Sequence, residues 1–412
     1  MKRPVSMFVL LLVGAGCSYT GESESESSRG TESEDSTGSA DSAGNGSTEG
    51  SGSAGAETTA VLAGSVLDVT AMFTERDMVQ MANTSGATQL ALVSGQDVTI
   101  TEAGVYLVSG SAEDSTIVVD ADDEAKVQLV LDGVYVKNSD APVVYVKSAD
   151  KVFVTTADGD NRMEVSGTYV ADGETNLDAA IFSKDDLVLN GIGSLEVIST
   201  QGNGITSKDD LKITGGTLLI TSALDGLEAN DSIRIAGGAV TVESAKDALH
   251  SENGEDDSLG YIYVSGGTLD VTAADDGIRG TSAIQIDGGT IDVITSIEGI
   301  EATYIQLNDG DISVYASDDG INATSKSAAY NAAIEVNGGR IFVEVGSGDT
   351  DAFDANGDIF INGGTIDIVA PTSAFDFDNV GELNGGTVTV NGSVVTQLTG
   401  GGPGGGHRPF SG

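Results

Sequence analysis

Acidic residues recur at a fixed place in a repeated phrase, and this spacing is the feature of the chain that most strongly suggests chemistry. The phrase has an acid, a Gly or Ala, an apolar residue, a second outward residue and a small residue. Stacked in a sheet, equivalent carboxylates would lie about 4.8 Å apart. At that distance they repel one another unless water, a proton or a cation lies between them. The leading acids of six consecutive repeats are Asp225, Asp247, Asp276, Glu298, Asp319 and Asp351.

A cation is the interpretation that we favour for the set. Hard oxygen ligands without a Cys or His cluster suit calcium better than zinc. The alternative is that Asp before Gly is an ordinary turn residue, but turn chemistry does not explain the second polar column, three residues later. We therefore expect Ca²⁺ as the cofactor, with ligands drawn from Asp225, Glu228, Asp247, Asp275, Asp276, Glu298, Glu301, Asp318, Asp319, Asn322, Asp351 and Asp354.

The elements that position these acids are short strands. Between residues 214 and 387 an apolar strand, a Gly-Gly or Asp-Gly turn and a second apolar strand occur eight times, mostly 21 to 23 residues apart. The strands alternate apolar and polar β-branched residues, which is typical of half-buried strands. The sequence therefore predicts an all-β, single-stranded parallel β-solenoid with coils of about 22 residues. Its predicted inward ladder is Ile205, Leu227, Leu249, Ile278, Ile300, Ile321, Phe353 and Phe375.

The solenoid is predicted to run from about residue 90 to 392, with about nine coils after residue 177 that rise about 43 Å. An N-terminal cap is expected to close its apolar end, with a short helix within residues 72–90. Insertions at residues 252–260 and 325–332, with a smaller one near 346–350, are expected as loops on one side.

The two ends of the chain differ from the repeats in composition. Residues 1–17 have the charged start and short apolar run of an export signal. Cys17, the single cysteine, is predicted to be lipidated, the alternative being ordinary secretory cleavage. Residues 18–60 are predicted to be a disordered acidic Ser/Gly tether, residues 61–399 the folded domain, and residues 400–412 a Gly-rich tail.

The charge balance excludes some partners. The chain has 64 acidic and 18 basic residues and a formal net charge of −46. Nucleic acid and anionic lipid are poor partners for such a surface, so membrane contact is expected only through a lipid anchor. The predicted location is extracellular, lipid-anchored to a bacterial cell surface, or alternatively fully secreted, and a monomer is expected.

Several phrases in order resemble a family of secreted bacterial carbohydrate-binding domains, over about residues 64–412. That resemblance implies a right-handed parallel β-helix, similar in shape to pectate-lyase-type polysaccharide lyases, with bound calcium and affinity for cellulose and acidic pectic sugars. The chain departs from the family's D-G-I pattern at Asp247-Ala248, Glu298 and Asp351-Ala352-Phe353. The phrases begin at Asp97, Ile117, Val127, Tyr145, Ser183 and Ser207 and continue through the acidic repeats.

Three functions are compatible with these features. A non-catalytic polysaccharide-binding protein is preferred, although the chain has no Trp and its stacking candidates Tyr261, Tyr263, Tyr304 and Tyr315 are also suited to sheet packing. A polysaccharide lyase needs a base, for which Arg279 is the candidate, the alternative for this residue being a salt bridge within the acidic column. A structural stalk or adhesin also fits the repeat. The sequence does not indicate which residues contact a glycan.

Overall fold

The computed structural model describes residues 64–348 and 350–400. The predicted signal, the lipidation of Cys17, the tether and the tail from residue 401 lie outside the described residues. Within them there is one 3₁₀ turn, Val69–Ala71, no α-helix, and no helix long and apolar enough to cross a membrane.

Short strands make up nearly all of the described regular structure. The first eighteen are β1 (Thr88–Ala91), β2 (Val98–Ile100), β3 (Gly104–Glu113), β4 (Ile117–Asp120), β5 (Lys126–Asn138), β6 (Val144–Ser148), β7 (Lys151–Thr156), β8 (Asp160–Val165), β9 (Ala179–Ser183), β10 (Asp186–Gly191), β11 (Ser194–Ser199), β12 (Asn203–Ser207), β13 (Asp210–Ile213), β14 (Thr217–Ser222), β15 (Leu227–Ala229), β16 (Ser232–Ile235), β17 (Ala239–Ser244) and β18 (Leu249–Ser251). The others are β19 (Tyr261–Val264), β20 (Thr268–Ala273), β21 (Ile278–Gly280), β22 (Ala283–Ile286), β23 (Thr290–Thr295), β24 (Ile300–Ala302), β25 (Tyr304–Leu307), β26 (Asp311–Ala316), β27 (Ile321–Ala323), β28 (Ala333–Val336), β29 (Arg340–Val345), β30 (Asp351–Ala355), β31 (Asp358–Ile361), β32 (Thr365–Val369), β33 (Ser373–Phe377), β34 (Gly381–Leu383), β35 (Thr387–Val390) and β36 (Ser393–Val395).

Each strand pairs with its equivalent in the next repeat, so the strands form three long series. One sheet of 12 strands, β2 through β33, is the acidic face. A sheet of 24 strands holds the other two series, which the long strand β5 joins. We name the series from β7 to β34 the covered face and the series from β8 to β35 the open face. The pairing between these strands is parallel, apart from β35 with β36.

The apolar residues predicted to form one inward ladder lie in register on the acidic face. Ile205 pairs with Leu227, and the pairing continues repeat by repeat to Phe353 and Phe375. All eight side chains are buried. Because side chains alternate along a strand, burying this column turns its neighbours outward.

The Gly-Gly turns need both glycines, for different reasons. The second has a positive φ, 80° at Gly339 and 85° at Gly364, a region that side chains disfavour. The first packs against the repeat below, and a Cβ on Gly338 would lie 2.3 Å from the carbonyl oxygen of Asn308. The turns therefore stack as closely as the strands do.

An asparagine ladder precedes the last four turns. The Asn337 amide nitrogen donates to Asn308 Oδ1 at 2.8 Å, and Asn362 donates to Asn337 Oδ1 at 2.9 Å. Asn384 ends the series by donating to Asn362 at 3.0 Å. Sequence reasoning missed this ladder, although its signal is the residue immediately before each glycine turn.

Replacing Asn337 by Ala is expected to lower the free energy of unfolding by about 2 kcal/mol, because it breaks two side-chain hydrogen bonds and leaves polar partners unsatisfied. Asn384→Ala breaks one bond of the ladder and a 3.3 Å bond to Glu382. Because both bonds are exposed to water, it should have less than half that effect. Denaturant titration of both variants measures the difference. Equal losses would show that the ladder has no cooperative role.

The prediction of a short helix within residues 72–90 is wrong. Residues 72–90 form turns and the start of β1. We name residues 64–82 the strap, because they lie lengthwise over the covered face. The strap bonds to side chains of many different repeats, which a locally hydrogen-bonded helix could not do.

Polar and aromatic contacts hold the strap along its length. Near its start, Leu67 N donates to Gln285 Oε1 at 3.0 Å. In the middle, the rings of Phe73 and Tyr263 lie 6.3 Å apart. Further on, the Arg76 guanidinium lies 4.4 Å from the centroid of the Phe153 ring. The strap thus runs opposite to the direction in which the repeats stack, and it buries outward side chains of the covered face.

The two predicted long insertions lie between β18 and β19 and between β27 and β28. They meet each other, since Ser327 Oγ donates to the carbonyl oxygen of Asp257. The second loop also places Tyr330 beside Tyr304, with ring centroids 6.2 Å apart. These contacts place both loops on one side of the stack.

Candidate metal centre on the acidic face

The leading acids cap one another's backbone from repeat to repeat. Asp247 N donates to Asp225 Oδ1 at 3.1 Å, and Asp276 N donates to Asp247 Oδ1 at 3.0 Å. Asp351 N donates to Asp319 Oδ1 at 2.8 Å. The turn chemistry considered above is therefore present, but it acts between repeats and uses one oxygen of each of these carboxylates.

The second polar column lies in register beside the leading acids. Glu228 pairs with His250, His250 with Arg279, and Arg279 with Glu301. A leading acid meets the second-column residue of the following repeat, so Asp225 Oδ2 lies 3.2 Å from His250 Nδ1. Whether an acid is neutralised therefore depends on the residue type one repeat further on.

Basic side chains neutralise the earlier repeats. Lys208 Nζ lies 3.2 Å from Glu228, and Lys246 Nζ lies 3.1 Å from Asp225. Burial raises the pKa of Asp225, but the hydrogen bonds and charges of His250 and Lys246 together outweigh burial, and the net shift is downward. Glu228 therefore lies in an ion pair, apart from the groups of acids described below.

Arg279 lies among three carboxylates. Its guanidinium nitrogens are 3.5 Å from Asp247, 3.9 Å from Asp276 and 3.5 Å from Glu301. Burial alone would lower the pKa of Arg279, but the carboxylates, led by Asp247, outweigh it and raise the pKa. A guanidinium with a raised pKa is a poor proton acceptor, so this geometry favours the salt-bridge alternative.

Three carboxylates remain crowded at the centre of the face. Oxygens of Asp276, Glu298 and Glu301 lie within 4.8 Å of one another. Burial, followed by the charge of Asp247, raises the pKa of Asp276 to about 7. Burial, followed by the charge of Glu301, raises the pKa of Glu298 to about 8. Arg279 and Lys326 both pair with Glu301. Two positive charges among three carboxylates leave the cluster with an excess of negative charge.

An amide completes this cluster. Asn322 is 8% exposed and donates from Nδ2 to Glu298 Oε2 at 3.0 Å. Its Oδ1 is buried without a hydrogen-bond partner among the described residues, which is unusual for a buried polar atom. Three carboxylates and an amide oxygen are the donor set that calcium accepts. These residues fit the expected ion.

The other predicted ligands divide into groups. Asp225, Asp247 and His250 form one compact group, and Asp247, Asp275 and Asp276 form another. Burial, followed by the charges of Asp319 and Asp351, raises the pKa of Asp354 to about 7. Asp318 is in none of the compact groups found among the described residues. His250 lies in the repeat that departs from the family's pattern at Asp247-Ala248, and sequence reasoning missed it as a partner of Asp225.

A second acidic cluster lies at the turns that come directly after strands β9, β12 and β15 of the acidic face. Burial, followed by the charge of Asp186 and a hydrogen bond with Asp231, raises the pKa of Asp209 to about 7. An unfolded Asp titrates near 4, so the native protein binds more protons between about pH 4 and pH 7. The contribution of this group to stability is present below about pH 4 and is lost as the pH rises to about 7.

Asp209→Asn is therefore expected to raise the free energy of unfolding at pH 8 by about 2 kcal/mol, allowing for partial solvent screening. The matched variant Asp210→Asn should destabilise, because Asp210 pairs with Lys212 at 3.2 Å and Arg234 at 2.7 Å. Melting curves from pH 4 to pH 8 measure both effects. A destabilised Asp209→Asn protein at pH 8 would contradict the assignment.

The tyrosines considered for stacking lie in different surroundings. Tyr261 and Tyr263 are buried beneath the strap, and Tyr304 is half-buried beside the second insertion. Tyr315 is 40% exposed on the open face.

Comparison with known proteins identifies relatives for most of the folded part. A family model described as carbohydrate-binding domain-containing protein matches residues 94–352. A protein of that description from Acetivibrio thermocellus is 44% identical over 207 residues, covering 50% of this chain and 71% of the relative. A solved structure titled as a polysaccharide lyase-like protein from C. thermocellum, a gadolinium derivative, is 30% identical with a TM-score of 0.49, covering 55% of this chain and 93% of that one.

Proposed function

Because the chain belongs to the family of carbohydrate-binding domain-containing proteins, we propose that it is a calcium-dependent, non-catalytic polysaccharide-binding protein of the bacterial cell surface. Cellulose or acidic pectic sugars are the proposed ligands. The observation that carries the calcium dependence is the cluster of Asp276, Glu298 and Glu301 beside the unsatisfied amide oxygen of Asn322. Lipidation of Cys17 would tether the protein to the surface.

The proposed architecture is a right-handed parallel β-helix with coils of about 22 residues. Its support is the register, in which equivalent residues such as Ile205, Leu227 and Leu249 pair in sequence. The handedness rests on the strong preference of parallel crossover connections for the right-handed form.

A bound calcium ion would supply two units of positive charge where the carboxylates are crowded. Asp276, Glu298 and Glu301 would hold it, with Asn322 turning its amide oxygen toward the ion. Such an ion stabilises the native state, and it can also attract a uronate carboxylate to an acidic protein. Net acidity is then compatible with an acidic polysaccharide.

Lyase activity is the second candidate, because Arg279 lies beside the cluster where a proton acceptor would be needed. The three carboxylates around it hold the guanidinium in its charged form. A structural stalk is the third candidate, and it predicts no affinity for glycans.

The full chain is expected to be retarded in a native gel that contains polygalacturonate and calcium, and less so with a chelator. Incubation with the polymer should give no ultraviolet absorbance from an unsaturated uronate product. Rising absorbance that disappears in the Arg279→Ala variant would support the lyase instead. Lack of retardation by polygalacturonate or cellulose would favour the stalk.

A further inference from the structure

The three outward faces differ in what already lies on them. The strap occupies much of the covered face, and carboxylates with their bases fill the acidic face. Along the open face the outward side chains are exposed or half-buried, as in β14, β26 and β32. This face also exposes several large apolar side chains, namely Tyr135, Leu219, Ile294, Tyr315 and Val369.

A shallow groove of about 450 Å³ lies on the open face near its C-terminal end. It crosses β29, β32 and β35, where Phe342 pairs with Asp367 and Asp367 pairs with Thr389. Arg340 is two residues before Phe342 on the same strand, so both side chains point to this face. The groove thus offers an aromatic face, a cation, a carboxylate and a hydroxyl within three repeats.

Arg340 is the feature that identifies a ligand. It is exposed, and within the part of the chain that the structure describes no carboxylate lies within 4.0 Å of its guanidinium. The other described arginines are engaged, since Arg162, Arg234 and Arg279 have ion pairs and Arg76 stacks on Phe153. Asp311 is the in-register neighbour of Arg340 on the adjacent strand, but its carboxylate is more than 4.0 Å from the guanidinium. Among the described residues the Arg340 guanidinium therefore has no ion pair, and it is complementary to an anionic partner.

We propose that this groove is the docking site for a uronate-containing polysaccharide, an inference that rests on the proposed function. The guanidinium of Arg340 pairs with a uronate carboxylate, for which its planar fork is suited. The ring of Phe342 packs against the apolar face of a sugar, while Asp367 and Thr389 hydrogen-bond to hydroxyl groups. Glycan contact is then direct and separate from the calcium cluster on the acidic face.

The test uses the full chain in native gels that contain polygalacturonate at saturating calcium. Arg340→Ala is expected to weaken retardation about tenfold, the effect of losing one charge-assisted hydrogen bond. Phe342→Ala should also weaken it, and Arg340→Lys should restore part of the affinity. The control Lys184→Ala removes an equal charge from an exposed residue after β9 and should bind as the wild type does.

The outcomes separate this inference from the proposed function. If the wild type is not retarded, both fail. If the wild type is retarded and Arg340→Ala is retarded equally, the groove is excluded while the proposed function stands. If Glu298→Gln abolishes retardation while the variant remains folded, and Arg340→Ala does not affect binding, a bridging calcium ion is the glycan contact. Because Arg340 is exposed, its variants should melt as the wild type does.

Discussion

Addition of calcium to chelator-treated protein is expected to raise the free energy of unfolding by about 2.7 kcal/mol for one site at a hundredfold excess over Kd. The physical reason is that Asp276, Glu298 and Glu301 lie within 4.8 Å of one another. Burial leaves little water to screen their repulsion. An ion that binds only the native arrangement removes that repulsion. Differential scanning calorimetry with and without chelator measures the shift.

The Glu298→Gln variant tests whether Glu298 binds calcium or has only a structural role. It removes one ligand and one repelling charge, so the chelated variant should melt at or above the wild-type temperature while responding far less to calcium. Asp311→Asn, at an exposed acid on the open face, should leave the calcium response unchanged. This cluster would be ruled out as the site if calcium did not change the melting temperature of the wild type. It would also be ruled out if calcium raised the melting temperature of Glu298→Gln as much as that of the wild type.

Asp77→Ala is expected to lower the free energy of unfolding by about 3 kcal/mol and to release the strap, because it removes both an ion pair with Lys151 and a charge-assisted hydrogen bond from Thr74. Lys151 keeps its second carboxylate partner, Asp186, at 3.1 Å. Asp77 is completely buried, and its Oδ1 lies 3.6 Å from Lys151 Nζ. Its Oδ2 accepts the N–H of Thr74 at 2.8 Å. Its carbonyl oxygen also accepts a hydrogen bond from Asn190. Hydrogen exchange of residues 64–82 reports release directly.

The matched control lies in the same segment. Asp68 is exposed and caps the 3₁₀ turn by accepting the N–H of Thr70 at 3.1 Å, so Asp68→Ala should lower stability by less than about 1 kcal/mol. Equal losses in the two variants, or unchanged exchange in the Asp77→Ala strap, would show that the ion pair does not hold the strap.

The stacked architecture could be predicted because every repeat contains the same short alternation of apolar and polar residues. Ile291 and Val293 are buried while Thr290 is exposed, and this alternation specifies which side of each strand faces inward. A spacing of 22 residues then brings Ile205 opposite Leu227. The strap could not be predicted in the same way, because the backbone N–H of Leu67 donates to the side chain of Gln285, 218 residues away.

Within the candidate site, too, part of the arrangement could be predicted from the sequence and part could not. The existence and register of the acidic columns follow from the repeated phrase. Which members remain crowded depends on contacts between repeats. His250 pairs with Asp225, whereas burial and the charge of Glu301 raise the pKa of Glu298. Lys326 reaches Glu301 from an insertion loop, and loop length alone does not predict that contact.

The sequence by itself determined the all-β class, the stacking of equivalent residues and the two outward columns of acids. The reason is that a short periodic pattern places apolar residues at the same inward positions in every repeat. The tertiary structure decided which face is covered, which carboxylates are paired and which of the described arginines has no ion pair. Those outcomes depend on charges and hydrogen-bonding groups that lie far apart in the chain. Their energies are set by distance and burial, which periodicity alone does not specify.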